Sequence, residues 1–174
     1  MVVALADGAG GTARGEVAAA AVVAAAAGAW GDDGAALLAE LDREGKRLGG
    51  GQATAVVLAV AAGVITGASV GDSGAWLVRG DTIVDLTEHQ IRKPLVGSGC
   101  VAGRIAPTPL GDGTLLVASD GLSRYASPRD VARVATGSDL DAAAHALVAL
   151  VRLPTGALQD DVSVVLVRAV GDRA

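Results

Sequence analysis

The chain has 174 residues, 51% of them hydrophobic and 19% charged, which excludes a disordered chain and suits a single domain over residues 1–174. Its net charge of −5 and its 2% aromatic content exclude a phosphate-backbone binder and a base-stacking module, so no nucleic-acid partner is expected. With no Phe and 25 Gly, the core must be built from Ala, Val and Leu on elements that approach closely.

Residues 2–6 form a short apolar run stopped by Asp7 and the turn Gly8-Ala9-Gly10-Gly11, which reads as a buried strand. Residues 14–30 read as a helix that is apolar almost all round, hence expected to be buried on most faces. Residues 35–48 read as an amphipathic helix with Leu37, Leu38, Leu41 and Leu48 on one face and Gly49-Gly50-Gly51 ending it. The character then changes. Residues 53–62, 64–71, 75–79 and 82–86 are β-rich runs separated by Gly63 and by Gly80-Asp81, which predicts an antiparallel meander. Residues 88–113 carry Pro94, Pro107 and Pro109 and read as an irregular connection. Residues 114–119 form another strand, stopped by Asp120-Gly121. Helices are expected from Ser127 or Pro128 to Val134 and over 139–152, and a last strand over 162–170. Strands at both ends with helices between them predict an α+β fold, sheets covered by helices.

Cys100 is the only cysteine, so no intrachain disulfide can form, and with His89 and His145 the only histidines a Cys/His zinc site is excluded. The apolar run 17–30 is too short to span a bilayer, and no basic leader precedes Asp7. A cytoplasmic protein with no membrane association is expected.

Four runs share one design. Asp7-Gly8, Gly71-Asp72-Ser73 and Asp120-Gly121 end strands, and Asp160-Asp161 opens one. An Asp before a Gly is ordinary turn chemistry when taken singly. If the four ends meet, the carboxylates face one another and cannot all stay ionised without a cation. Hard oxygen donors suit Mg²⁺ or Mn²⁺.

The ordered set of motifs carries a resemblance. Ala6-Asp7-Gly8-Ala9-Gly10-Gly11, Gly51-Gln52-Ala53-Thr54-Ala55-Val56, Val70-Gly71-Asp72-Ser73-Gly74-Ala75, Leu86-Thr87-Glu88-His89, Ala118-Ser119-Asp120-Gly121-Leu122 and Asp160-Asp161-Val162-Ser163-Val164-Val165 occur in this order. Together they resemble the metal-dependent serine/threonine phosphatases of the PP2C (PPM) family, in its compact bacterial form. The resemblance implies two antiparallel sheets in a sandwich flanked by helices. It implies a two-metal centre, Mn²⁺ or Mg²⁺, at one end of that sandwich. Asp7 would bridge the metals, the Gly8 carbonyl would bind one, and Asp120 and Asp160 would complete the other. Asp72 with Asp120 matches a position that holds a third metal in some bacterial members. Catalysis would then rest on Asp7, Asp120 and Asp160, with a metal-bridging hydroxide attacking phosphoserine or phosphothreonine in a protein partner.

The sequence also departs from the family. Two family strands that precede the glycine turn, with a phosphate-binding Arg and an acidic pair, have no counterpart before Asp7. Ala9 stands at the family's His, and most of the flap subdomain is missing. An alternative is therefore a catalytically impaired PP2C-fold regulator. Missing strands would leave sheet edges open, so a homodimer through them is also expected. A dinucleotide-binding reading of Gly8-Ala9-Gly10-Gly11-Thr12-Ala13 lacks a returning parallel strand. A trypsin-like reading of Gly71-Asp72-Ser73-Gly74 lacks any His upstream of the Ser. Arg14, Arg104 and Arg124 could approach a bound phosphate, and the plainer reading of each is a solvated side chain. Trp30 and Trp76 read as packing residues, and His89 as a loop residue.

Overall fold

A computed structural model describes residues 1–10, 13–28, 33–45 and 48–169. Gly11, Thr12, Trp30, Lys46, Arg47 and Val170 lie outside the described residues. In chain order the elements are β1 (Val2–Leu5), α1 (Ala13–Ala27), α2 (Gly34–Arg43), β2 (Ala55–Ala61), β3 (Val64–Val70), β4 (Gly74–Arg79) and β5 (Thr82–Asp85). There follow β6 (Gly103–Pro109), β7 (Thr114–Ala118), α3 (Asp120–Ser123), α4 (Pro128–Ala135), α5 (Leu140–Leu150) and β8 (Val164–Arg168). The strands form two four-stranded sheets, in the orders β1-β2-β3-β6 and β5-β4-β7-β8, and every pairing is antiparallel. The α+β sandwich expected from the sequence is the fold.

The alternation of side chains along a strand explains the layers. Val56 and Leu58 of β2 face the second sheet and pack with Leu77, Leu115 and Val117. Ala55 and Val57, one step out of phase, face the other way and pack under α1 and α2. On the far side α4 and α5 cover Val78, Leu116 and Ala118 of the second sheet with Val131, Ala135 and Leu147. Central strands such as β2 and β7 are buried on both faces, which is why their sequences are continuous apolar runs.

Several expectations need correction. Helix α1 is not buried on most faces: Gly15, Ala18, Val22 and Ala26 form its one buried stripe, while Val17 and Val23 are 48% and 43% exposed. A helix laid on a sheet meets it along a single side, and small residues at that spacing let the backbones approach. Helix α2 ends at Arg43, five residues before Leu48, which is buried beyond it. The expected meander is broken, because β3 and β4 belong to different sheets and the chain crosses between them at Gly71-Asp72-Ser73. The connection 88–113 contains a strand, β6, that among the described residues pairs only with β3. Pro107 and Pro109 are tolerated there because an edge strand need not donate on its open side. The single turn α3 was not expected either.

Candidate active site

The ends of β1, β3 and β7 and the approach to β8 meet at one end of the sandwich, and each is fixed by a buried hydroxyl. Thr54 N–H donates to the Asp7 carbonyl at 2.8 Å, and Asp7 N–H donates to Thr54 Oγ1 at 3.1 Å. Thr54 Oγ1 lies 2.6 Å from Ser73 Oγ, and Ser73 directly follows Asp72. Both residues are buried, so one hydroxyl pair ties the turn carrying Asp7 to the sheet switch carrying Asp72. Ser119 does the same on the other side. Its Oγ donates to the Asp161 carbonyl at 3.0 Å and accepts from Ser163 N–H at 3.0 Å. That staples the segment 160–163 beside Asp120.

Two glycines are required by close approach. A Cβ on Gly121 would collide with the Asp161 carbonyl, and one on Gly8 would collide with the Gly15 backbone at the start of α1. Contact at these points seats the Asp7 turn on the start of α1 and the Asp120 turn on the segment 160–163.

The result is a cavity of about 300 Å³ lined by Asp7, Gly8, Asp72, Asp120, Asp160 and Asp161, with Arg92 and Lys93 also on its wall. All the acids singled out from the sequence thus line one space, and Asp161 joins them. Burial raises the Asp7 carboxyl above the usual carboxylate range, and the charges of Asp120, Asp160, Asp161 and Asp72 add to the effect. Burial also raises Asp120, helped by Asp72 and Asp160 and opposed by Arg124. A larger cavity of about 560 Å³ shares Asp72, Arg92 and Asp120 with the first and is walled by Trp76, Ile83 and Leu122.

Arg124 pairs directly with these acids. Arg124 Nη2 lies 2.8 Å from Asp120 Oδ2 and 3.0 Å from Asp72 Oδ2, and its Nη1 lies 3.9 Å from Asp160 Oδ2. Among the described residues no group of three His, Cys, Asp or Glu side chains is set to hold a metal ion as it stands. The chemistry of the donor set nevertheless fits a divalent cation. The acids are hard oxygen donors gathered on one cavity, and burial first, then neighbouring acids, raises the carboxyls of Asp7 and Asp120.

The other candidates lie elsewhere. Arg104 makes a bidentate pair with Asp33 at 2.8 Å on the surface, and Arg14 is exposed at the start of α1. His89 is exposed and pairs with Glu88 at 3.2 Å, and His145 is exposed on α5. Trp76 is half-buried against the cluster under α4 and α5. The sequence reading assigned no role to Thr54, Ser119, Arg92 or Lys93. For Arg124 a signal did exist, since Asp120 and Arg124 stand at the i, i+4 spacing of a helical ion pair.

The two-sheet antiparallel sandwich with helices on both outer faces is a fold shared with solved serine/threonine phosphatases of the PP2C type. The serine/threonine phosphatase PstP/Ppp of Mycobacterium tuberculosis matches with a TM-score of 0.76 at 23% identity, over 95% of this chain and 86% of that one. The S. agalactiae serine/threonine phosphatase matches with a TM-score of 0.78 at 22% identity, over the same 95% and 86%. The catalytic domain of PstP in complex with two manganese ions gives 0.77 at 24% identity, again over 95% and 86%. At such identities the likeness is one of fold. No protein-family model matches the sequence, and no curated protein matches it. Among the described residues no helix is long and apolar enough to cross a membrane.

Proposed function

We propose that the protein is a divalent-metal-dependent phosphatase acting on phosphoserine or phosphothreonine in a protein partner of the cytoplasm. The observation that carries this reading is the convergence of Asp7, Asp72, Asp120, Asp160 and Asp161 on one cavity, with Asp7 and Asp120 held above the usual carboxylate range. The fold shared with a phosphatase domain solved with two manganese ions supports it.

Asp7, Gly8, Asp120 and Asp160 would hold two Mn²⁺ or Mg²⁺ ions, and Asp72 with Asp120 a third. Such ions supply an activated water and neutralise charge on the phosphoryl oxygens when bound. The chain's own part is to position them. Thr54 and Ser73 fix the backbone on either side of the cavity, and Ser119 fixes the loop bearing Asp160. Arg92 and Lys93 put positive charge on the cavity wall, where a phosphate dianion would arrive. The adjoining larger cavity leaves room for the substrate residue beside the phosphate. Water supplies the new oxygen on phosphorus, the P–O bond to the side chain breaks, and the alcohol leaves with a proton.

A second reading, a PP2C-fold regulator without turnover, is favoured by the pairing of Arg124 with Asp72 and Asp120. Phosphate release from a phosphothreonine peptide, in millimolar Mn²⁺ and in EDTA, separates the two. We expect turnover in Mn²⁺, none in EDTA, and a loss on the order of 100-fold or more in Asp7→Ala and Asp120→Ala. No Mn²⁺-stimulated turnover in the unaltered protein would leave the regulator.

A further inference from the structure

Arg124 differs from every other arginine that pairs with an acid among the described residues. Arg79, Arg104 and Arg133 each meet one carboxylate at the surface. Arg124 instead places a single nitrogen, Nη2, between two carboxylates from different chain segments, at 2.8 Å from Asp120 and 3.0 Å from Asp72. Its other terminal nitrogen reaches toward Asp160 at 3.9 Å. A cation bridging oxygens from three segments holds together what charge repulsion would push apart.

The burial of the partners is unequal. The Asp120 side chain is 10% exposed, whereas that of Arg124 is 52% exposed. The acid cannot leave, but the guanidinium can swing into water on its long stem. A charge pair with one mobile, solvated member is weak enough to exchange.

We infer that Arg124 is a built-in counter-ion that occupies Asp72 and Asp120 in the metal-free protein and must be displaced by a divalent cation binding to either acid. The inference rests on the metal-dependent reading above and adds to it a control on metal affinity. The guanidinium keeps the acid end assembled without metal. It also sets the cation concentration at which the site loads.

The test uses the full chain and Mn²⁺ as the probe, with calorimetric titration and thermal melting as readouts. Arg124→Met keeps the side-chain length and removes the charge, and Arg124→Lys keeps the charge. Arg124→Met is expected to bind Mn²⁺ on the order of tenfold more tightly than the unaltered protein. Its melting temperature should fall in EDTA and recover in Mn²⁺, so its metal-induced shift exceeds that of the unaltered protein. Arg124→Lys should bind Mn²⁺ close to the unaltered value.

Unchanged or weaker Mn²⁺ affinity in a folded Arg124→Met, beside clear binding by the unaltered protein, overturns the inference alone. So does an equal gain in Arg124→Lys, since charge would then not be the cause. Failure of Arg124→Met to fold even in Mn²⁺ also overturns it, because the cation would not be replacing the guanidinium. No Mn²⁺ binding by any of the three proteins removes the metal-dependent reading and this inference together.

Discussion

Asp42 and Asp7 are both half-buried aspartates at the end of an element, and their environments act in opposite directions. Asp42, near the end of α2, accepts from Gly97 N–H at 2.7 Å and from Gly99 N–H at 3.1 Å. Burial alone would raise its carboxyl, but the backbone N–H groups of Gly97, Cys100, Gly99 and Ser98 together bring it below the usual range. The charge is welcome there, and it anchors a loop. The Cys100 thiol, raised first by burial and then by Asp42, is pushed up to about 11 and stays inert at neutral pH. At Asp7 burial raises the carboxyl and four further acids raise it again. The fold surrounds Asp42 with donors and Asp7 with like charge. Backbone donors answer the charge at Asp42, whereas burial and four like charges oppose it at Asp7.

Removing the charge at each position sharpens that contrast, most strongly at the acid cluster. Asp7→Asn should lose Mn²⁺-dependent turnover by on the order of 100-fold. It should nonetheless melt higher in EDTA at pH 7, by roughly 2 °C. The sign follows from the raised carboxyl: its ionised form costs stability above its folded pKa, and that cost fades as the pH falls and the acid protonates. A melting temperature that drops in EDTA would mean the cluster is not strained by its own charge.

Asp42→Asn should do the reverse. It should cost about 1–2 kcal/mol at pH 7, read by urea unfolding, and leave Mn²⁺ affinity unchanged. A lowered carboxyl contributes stability above its ordinary value near 3.8, and that contribution is lost as the pH falls through the folded value. The gap between the two proteins should therefore close in acid. A gap that persists at low pH would show that the lost bonds do not depend on the charge.

The smallest expected difference lies within the cluster. Asp160→Asn should weaken Mn²⁺ binding more than Asp161→Asn, by several-fold in a calorimetric titration. Asp160 is the acid that Arg124 approaches, while the main-chain carbonyl of Asp161 is already engaged by Ser119. Equal losses would mean that both carboxylates ligate equally.

Much of this was legible in the chain. Continuous apolar runs such as 55–61 and 114–118 marked strands, and Asp120-Gly121 marked the end of the second. Local spacing is enough for such signals, because strand period, turn residues and caps act over a few positions. Ser127 before Pro128 fixed the start of α4, and its side chain accepts from Asp130 N–H at 3.1 Å. Strand β6 was not legible, because its prolines argue against a strand until its partner and its edge position are known.

The amino-acid sequence by itself determined the strand-end acids, the glycines beside them and the small-residue core. Only the tertiary structure decided that β3 and β4 part into different sheets at Asp72, so that this acid meets Asp7 and Asp120 across the sandwich. It alone put Thr54 against Ser73 and Arg124 between Asp72 and Asp120. The reason is distance along the chain. Arg124 is 52 residues from Asp72, and no local pattern of side chains records a charge pair closed only by packing.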